Sequence, residues 1–148
     1  MSNVTLETKE NIGIVTLNNP PVNALNIDIY NEIEKTFKYI NSRDDIRVII
    51  LRSTAKHFAA GNDINVIKNL DKTSTIEYRD AIKACVGAIY ECRVPVIAAV
   101  NGAVMGAGLA FIACCDVIIA DEKATFGIPE VKIGVIGAAG FLSTLVPP

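Results

Sequence analysis

A turn of small residues and a carboxylate further along the chain have types and spacing that could do chemistry. An apolar run ends at residues 101–102, and Gly106, Ala107 and Gly108 then open an apolar helix. The first N–H groups of a helix have no helical acceptor and stabilise nearby negative charge. Glu130 supplies the only obvious carboxylate at a turn just downstream. Main-chain donors for an oxyanion, together with one carboxylate, predict enolate chemistry on a carbonyl substrate.

Length and composition favour one globular domain, which we place over residues 1–148. The 148 residues are 51% hydrophobic and 20% charged, which suits a chain with a buried core. A net charge of −2 does not indicate nucleic acid or an anionic membrane as partner. The first residues resemble no signal peptide, and the longest apolar run, 94–100, is too short to span a bilayer. We therefore expect a cytoplasmic protein.

The cysteines and the histidine do not follow a metal-binding pattern. Cys85, Cys92, Cys114 and Cys115 show no C-x-x-C spacing, and His57 is the one histidine of the chain. We expect no metal site, and we expect the cysteines to be reduced and packed in the core.

Strand-like and helix-like segments alternate along the chain, which predicts an α/β fold that positions these groups. The apolar patterns predict strands over residues 4–8, 13–17, 48–51, 96–100, 116–120 and 124–126. They predict helices after Asn26, over 64–70 behind an Asp63 cap, from Ser74 to about 93, over 105–115 and from 137 to 145. Ser74 and Glu77 are expected to form a capping box.

Three segments together resemble the crotonase (enoyl-CoA hydratase/isomerase) superfamily. They are Asn19-Pro20 with Asn23-Ala24-Leu25, the loop Phe58-Ala-Ala-Gly61-Asn62-Asp63, and the stretch 95–116 with Phe126-Gly-Ile-Pro-Glu130 and Gly134. Their order and spacing match the family along the whole chain. The resemblance implies a spiral of repeated β-β-α units with two roughly perpendicular sheets. It also implies that the family's C-terminal helical region is absent from these 148 residues.

The resemblance implies an acyl-CoA thioester as substrate, with no cofactor apart from the coenzyme A that the substrate carries. In this family two main-chain N–H groups bind the thioester oxygen, and the matching positions are Asn62 and Ala107. The matching segments imply further substrate or coenzyme A contacts at Asn23, Ala24, Leu25, Ala60, Gly61, Gly106, Ala110 and Ala138.

One position departs from the pattern of the family's hydratases, which use two glutamates. The second glutamate is matched by Glu130, but the first is matched by Ala110. A single carboxylate can still take a proton from one carbon and return it to another. The resemblance ties that chemistry to Δ3-Δ2-enoyl-CoA isomerases, so we expect isomerisation with Glu130 as the catalytic residue. Ala138, in place of a glycine that helps hydratases to hold water, points the same way.

Two other classes of function stay open at this point. The chain could catalyse another reaction of the family, such as hydration, thioester hydrolysis or decarboxylation. It could instead be a catalytically silent acyl-CoA-binding protein. In either case the resemblance implies a homo-oligomer, a trimer or a dimer of trimers. The length of the acyl chain is not determined, because the residues expected to close that pocket lie in the missing region.

Overall fold

The computed structural model describes residues 2–133. The described residues form nine strands: β1 Val4–Lys9, β2 Ile12–Leu17, β3 Ala24–Leu25, β4 Val48–Ser53, β5 Gly61–Asn62, β6 Val96–Val100, β7 Ala103–Met105, β8 Val117–Ala120 and β9 Thr125–Gly127. Their helices are α1 Ile27–Asn41, α2 Ile64–Lys68, α3 Lys72–Tyr90, α4 Ala107–Ala113 and a 3₁₀ helix Pro129–Ile133.

These elements repeat a strand–strand–helix unit. The units are β2-β3-α1, β4-β5-α2-α3, β6-β7-α4 and β8-β9 with the 3₁₀ helix. In each unit the first strand joins a five-stranded sheet of order β1-β2-β4-β6-β8, and the second joins a small pair, β3-β5 or β7-β9. The α/β spiral of β-β-α units expected from the sequence is therefore confirmed.

The large sheet and α1 form the core, and their apolar patterns explain why. Strands β2, β4, β6 and β8 are parallel, and helical segments connect them. Helix α1 turns one buried face inward, made of Ile29, Tyr30, Ile33, Phe37 and Ile40. That face follows helical spacing, so burying it requires a helix at this point of the chain.

The first turns of α1, α2 and α3 are capped by side chains, and one of these caps differs from the prediction. Asn26 Oδ1 accepts from the Ile29 N–H at 3.0 Å, as expected for α1. Helix α3 is capped by Asp71, which accepts from the Ser74 N–H at 2.8 Å, while Ser74 Oγ accepts from the Asp71 N–H at 2.8 Å. The predicted box of Ser74 with Glu77 is therefore wrong. Ser74 is the third residue of the helix, and its hydroxyl reaches back to the cap.

Other predicted elements differ in extent. The predicted helix 105–115 is shorter, because Met105 belongs to β7 and pairs with Gly127 of β9. Strand β8 follows the prediction, yet all four of its residues are exposed. The predicted helix 137–145 lies outside the described residues. Across residues 2–133, none of the helices combines the length and the apolar character needed to cross a membrane.

Replacing Asp71 with alanine removes the α3 cap and is expected to lower the free energy of unfolding by about 1 kcal/mol. Glu77→Ala is the matched control, because Glu77 is exposed and is expected to change stability by no more than about 0.5 kcal/mol. Urea unfolding monitored by circular dichroism measures both. A larger loss at Glu77 than at Asp71 would place the cap where the sequence pattern put it.

Candidate active site

The short strands bring three separate chain segments to one edge. β3 pairs with β5 and β7 with β9, all in parallel, and an isolated bridge between Ala59 and Val104 connects the two pairs. The carboxyl ends of parallel strands meet at a common edge, where sites tend to form. Asn62 ends β5, Ala107 comes two residues after β7, and Glu130 comes three residues after β9. The three residues singled out by the sequence therefore lie at this edge.

The main-chain N–H of Asn62 is directed away from the strand pair. The Asp63 N–H donates to the Leu25 carbonyl at 2.8 Å, and Leu25 and Asn62 are register partners. In a parallel ladder alternate residues donate to the neighbouring strand, so the Asn62 N–H points to the opposite side. This N–H is therefore available to an acceptor outside the sheet.

The turn before Ala107 is held by hydrogen bonds to two neighbouring chain segments. The Met105 N–H donates to the Ala59 carbonyl at 2.9 Å, and the Gly106 N–H donates to the Gly127 carbonyl at 2.9 Å. Gly106 has φ +51° and ψ −118°, a conformation that glycine adopts readily. Ala107 is the first residue of α4, so its N–H has no helical acceptor.

The Asn62 and Ala107 segments touch each other. A methyl group placed on Gly61 would lie 3.0 Å from the Met105 carbonyl oxygen and 3.8 Å from the Ala107 nitrogen. Gly61 has φ +88°, so the loop needs glycine for its conformation as well as for the close approach. Two main-chain donors from different repeats are thus held next to each other.

The carboxylate of Glu130 packs directly on the turn. A methyl group on Gly106 would lie 1.9 Å from Glu130 Oε1 and 2.9 Å from Oε2. Oε2 is buried and has no hydrogen-bond partner within residues 2–133. A buried polar atom without a partner is costly and uncommon, and a catalytic role is one physical reason for it. A carboxylate oxygen beside two main-chain donors can accept a proton from a substrate whose carbonyl those donors hold.

Position 110 adds no second carboxylate. Ala110 lies in α4, one turn after Ala107, and is 1% exposed. Its methyl group cannot carry a proton. Two other polar side chains nearby make structural hydrogen bonds. Asp63 accepts from the Asn65 N–H at 2.8 Å, as a helix cap, and His57 Nδ1 accepts from the Ala103 N–H at 3.1 Å.

The segment Asn23–Leu25 supports the candidate site through hydrogen bonds. Asn23 is 1% exposed, and its Nδ2 donates to Ser53 Oγ at 2.7 Å and to the Phe58 carbonyl at 3.1 Å. The Ala60 N–H donates to the carbonyl oxygens of Val22 and Asn23. These bonds hold the loop that carries Gly61 and Asn62. Contacts of these residues with coenzyme A stay a prediction, and Ala138 lies outside the described residues.

Sequence reasoning missed two tyrosines behind Asn62. Tyr30 Oη donates to Asn62 Oδ1 at 2.5 Å, and Tyr78 Oη lies 3.0 Å from the same oxygen. Burial raises the pKa of Tyr78 to about 12 and raises that of Tyr30 further above its ordinary value. Both hydroxyls therefore keep their protons at neutral pH. Their helical spacing indicated only core positions, and no local pattern links them to Asn62.

An open, largely apolar groove of about 270 Å³ begins at Asn62. It runs between α2 and α3 and is lined by Asn62, Ile67, Leu70, Thr75, Tyr78, Arg79, Ile82 and Lys83. A larger groove of about 550 Å³ lies between β1 and α1, but its lining contains none of the residues at the strand edge. Of these two grooves, the smaller one contains a residue of the strand edge, Asn62. Residues 2–133 hold no cluster of side chains able to bind a metal ion.

Two main-chain N–H groups and a carboxylate lie at one strand edge of a β-β-α spiral, and an apolar groove is lined in part by Asn62, an arrangement that can polarise a carbonyl group. The family model described as enoyl-CoA hydratase/isomerase matches residues 7–147. The chain belongs to the enoyl-CoA hydratase/isomerase family, whose fold is the crotonase fold.

Individual relatives carry different activities in their names. The (7aS)-7a-methyl-1,5-dioxo-2,3,5,6,7,7a-hexahydro-1H-indene-carboxyl-CoA hydrolase of Mycobacterium tuberculosis is 41% identical over 97% of this chain and 59% of its own length. The peroxisomal Delta(3,5)-Delta(2,4)-dienoyl-CoA isomerase of Arabidopsis thaliana is 33% identical over 93% of this chain and 54% of its own.

A solved structure of an enoyl-CoA hydratase/carnithine racemase from Magnetospirillum magneticum superposes with a TM-score of 0.90 at 32% identity. It covers 98% of this chain, and the match spans 56% of that protein. The chain thus spans less than three-fifths of the length of each of these three proteins.

Gly106→Ala is expected to lower the free energy of unfolding by about 1–3 kcal/mol, because it strains the backbone and drives a methyl group into the Glu130 carboxylate. Gly87→Ala is the matched control. Gly87 lies inside α3 with open space around it, so alanine there is expected to stabilise by about 0.5–1 kcal/mol. Urea unfolding compares the two. A stable Gly106→Ala variant would show that the carboxylate does not pack on this turn.

Proposed function

We propose that this chain shifts the double bond of a 3-enoyl-CoA to the 2-position, with Glu130 as the one proton carrier. The observation that carries the proposal is the buried, unpartnered Oε2 of Glu130, whose carboxylate packs on the turn that presents the Ala107 N–H. The substrate's thioester oxygen would accept from the N–H groups of Asn62 and Ala107. In this proposal residues 1–148 act as one acyl-CoA-binding domain.

The proposed reaction moves one proton and one double bond. Glu130 removes a proton from C2 of the substrate, and the electron pair of that bond moves onto the thioester oxygen as a dienolate. The two N–H groups stabilise this oxyanion, each by roughly 2.7–4 kcal/mol as in other oxyanion holes. The carboxylic acid of Glu130 then protonates C4, which leaves the double bond between C2 and C3. No cofactor takes part in this sequence.

Alanine at position 110 is the reason to prefer isomerisation to hydration. Adding water across a double bond requires one group to activate the water and another to protonate the α-carbon. Ala110 is 1% exposed and offers a methyl group where the hydratase pattern has a carboxylate. Glu130 alone can serve a proton transfer between two carbons of one substrate.

The apolar groove supports an acyl chain as the rest of the substrate. It starts at Asn62, whose N–H is one of the proposed donors, and continues along Ile67, Leu70 and Ile82. Burying apolar chain there contributes roughly 25 cal/mol per Å² removed from water. We propose that the acyl chain enters this groove from the thioester. A homo-oligomer and a cytoplasmic location stay part of the proposal.

Glu130→Gln keeps the size of the side chain but cannot accept the proton, so isomerisation is expected to fall by about 10²–10⁴-fold in kcat. Glu122→Gln, at an exposed position in the turn before β9, is the matched control and is expected to retain activity. The substrate is trans-3-hexenoyl-CoA, and the formation of the conjugated product is followed by absorbance. Isomerisation at the wild-type rate in the Glu130→Gln variant would contradict the proposal that Glu130 carries the proton.

The same assay separates the reaction classes. Isomerisation leaves the mass of 3-hexenoyl-CoA unchanged, whereas hydration of 2-hexenoyl-CoA adds one water. Water addition by the wild-type chain would replace the proposal by hydration. Binding of both thioesters without turnover would indicate an acyl-CoA-binding protein.

A second candidate is hydrolysis, which the 41% identity to the mycobacterial carboxyl-CoA hydrolase favours. The donors of Asn62 and Ala107 would serve an oxyanion in that reaction as well. Release of free coenzyme A, or gain of water by a cyclic carboxyl-CoA substrate, identifies this activity. Neither product is expected from 3-hexenoyl-CoA.

The groove predicts an effect of acyl length. Ile82→Trp is expected to fill the groove and to lower kcat/KM for 3-dodecenoyl-CoA relative to 3-hexenoyl-CoA by about tenfold or more. Ile76→Trp on the same helix is the control, because Ile76 is 46% exposed and does not line the groove. An unchanged ratio in the Ile82 variant would place the acyl chain elsewhere.

A further inference from the structure

The side chain of Asn62 is held by two hydroxyls from different helices. Tyr30 belongs to α1 and Tyr78 to α3, and both hydroxyls contact Asn62 Oδ1, at 2.5 and 3.0 Å. Tyr30 is fully buried, and Tyr78 is 5% exposed. Buried hydroxyls need a partner, so Asn62 Oδ1 and the tyrosines fix each other's positions.

Tyr78 also holds the strand that pairs with Asn62. Its hydroxyl lies 3.0 Å from the Leu25 carbonyl, and Leu25 is the register partner of Asn62. A hydroxyl has one proton, so Tyr78 donates a hydrogen bond to only one of its two acceptors at a time. Tyr30 donates its hydrogen bond to Asn62 Oδ1 throughout. The pair of tyrosines therefore constrains both the side chain of residue 62 and the ladder that orients its main chain.

The same tyrosines reach the helix that carries the other donor. The rings of Tyr30 and Tyr78 meet edge to face, with centroids 5.7 Å apart and planes at 90°. Tyr30 also meets Phe111 edge to face, with centroids 6.0 Å apart. Phe111 lies one turn after Ala107 in α4, so one aromatic cluster of Tyr30, Tyr78 and Phe111 contacts the supports of both N–H groups.

We propose that Tyr30 and Tyr78 are positioning residues, which act through the Asn62 side chain to aim the Asn62 N–H at the thioester oxygen. The proposal rests on the oxyanion site of the proposed function. Neither hydroxyl needs to touch the substrate for this role. A donor that is displaced by about 1 Å from its working geometry can cost on the order of 10²-fold in rate, so the alignment of this N–H has a measurable effect.

The experiment compares the Tyr30→Phe/Tyr78→Phe double variant with a Tyr39→Phe/Tyr90→Phe control. Tyr39 and Tyr90 lie on the same two helices but are 52% and 67% exposed. The first readout is the kcat and KM for 3-hexenoyl-CoA. The second is the infrared stretch of the ¹³C=O thioester in bound hexanoyl-CoA, which reports donor strength without turnover. Urea unfolding separates a loss of stability from either change.

The double variant is expected to lower kcat roughly ten- to hundredfold with KM within about twofold. Its bound carbonyl stretch should move back toward the value for free hexanoyl-CoA, while the control pair stays at the wild-type values. Asn62→Ala keeps the N–H and both hydroxyls but removes their shared acceptor, so it should give the same spectral change. This variant decides the question if the double variant does not fold.

If the two tyrosines had a purely structural role, the double variant would lower the free energy of unfolding without changing kcat or the carbonyl frequency. Wild-type kcat and carbonyl frequency in a folded Asn62→Ala or double variant would overturn the positioning role. The wild type could shift the carbonyl frequency, and the variants could lose that shift, while no protein isomerises 3-hexenoyl-CoA. That result would support the positioning role and would contradict the proposed reaction. A wild-type chain that leaves the carbonyl frequency of bound hexanoyl-CoA unshifted would overturn both.

Discussion

The contact between the Glu130 carboxylate and the Cα of Gly106 constrains the rest of the site. It requires a residue without a side chain at position 106, with φ +51°, and it requires β9 to run beside β7 so that the 3₁₀ helix reaches the turn. The Gly106 N–H to Gly127 carbonyl bond holds this arrangement. Ala107 follows Gly106 directly, so it comes immediately after the residue on which the Glu130 carboxylate packs. The proposed proton carrier and the proposed oxyanion donor thus depend on one set of backbone contacts.

The repeated β-β-α unit explains how distant residues reach that space. Each repeat sends its first strand to the large sheet and its second to a small parallel pair, so successive second strands end side by side. Asn62, Ala107 and Glu130 come from three successive repeats, and each lies at the end of the second strand of its repeat or within three residues after it. A repeated fold with small strands therefore provides a site at their ends, while the large sheet and α1 provide the core.

Local signals allowed much of the fold to be predicted from the sequence, and nonlocal contacts explain what was missed. The caps at Asn26 and Asp63 were predictable because a cap needs only neighbouring residues. The two-residue strands β3 and β5 have no periodicity to detect, and Ser74 pairs with Asp71 because the helix begins earlier than its apolar pattern indicates. The turn of Gly106, Ala107 and Gly108 and the carboxylate of Glu130 stand out by residue type and spacing, whereas Asn62 and the individual roles came from a family resemblance. Tyr30 and Tyr78 were indistinguishable from core residues, since only the tertiary fold shows that their hydroxyls meet at Asn62.

The central claim is that the Glu130 carboxylate alone carries the proton between two carbons of the same substrate. Isomerisation of 3-hexenoyl-CoA labelled with deuterium at C2, in ordinary water, tests it most directly. A single carrier, with a buried Oε2, predicts that a measurable fraction of the deuterium reappears at C4 of the 2-hexenoyl product. A product whose new C4 hydrogen comes entirely from solvent, with no deuterium transferred at any stage of the reaction, would contradict the account.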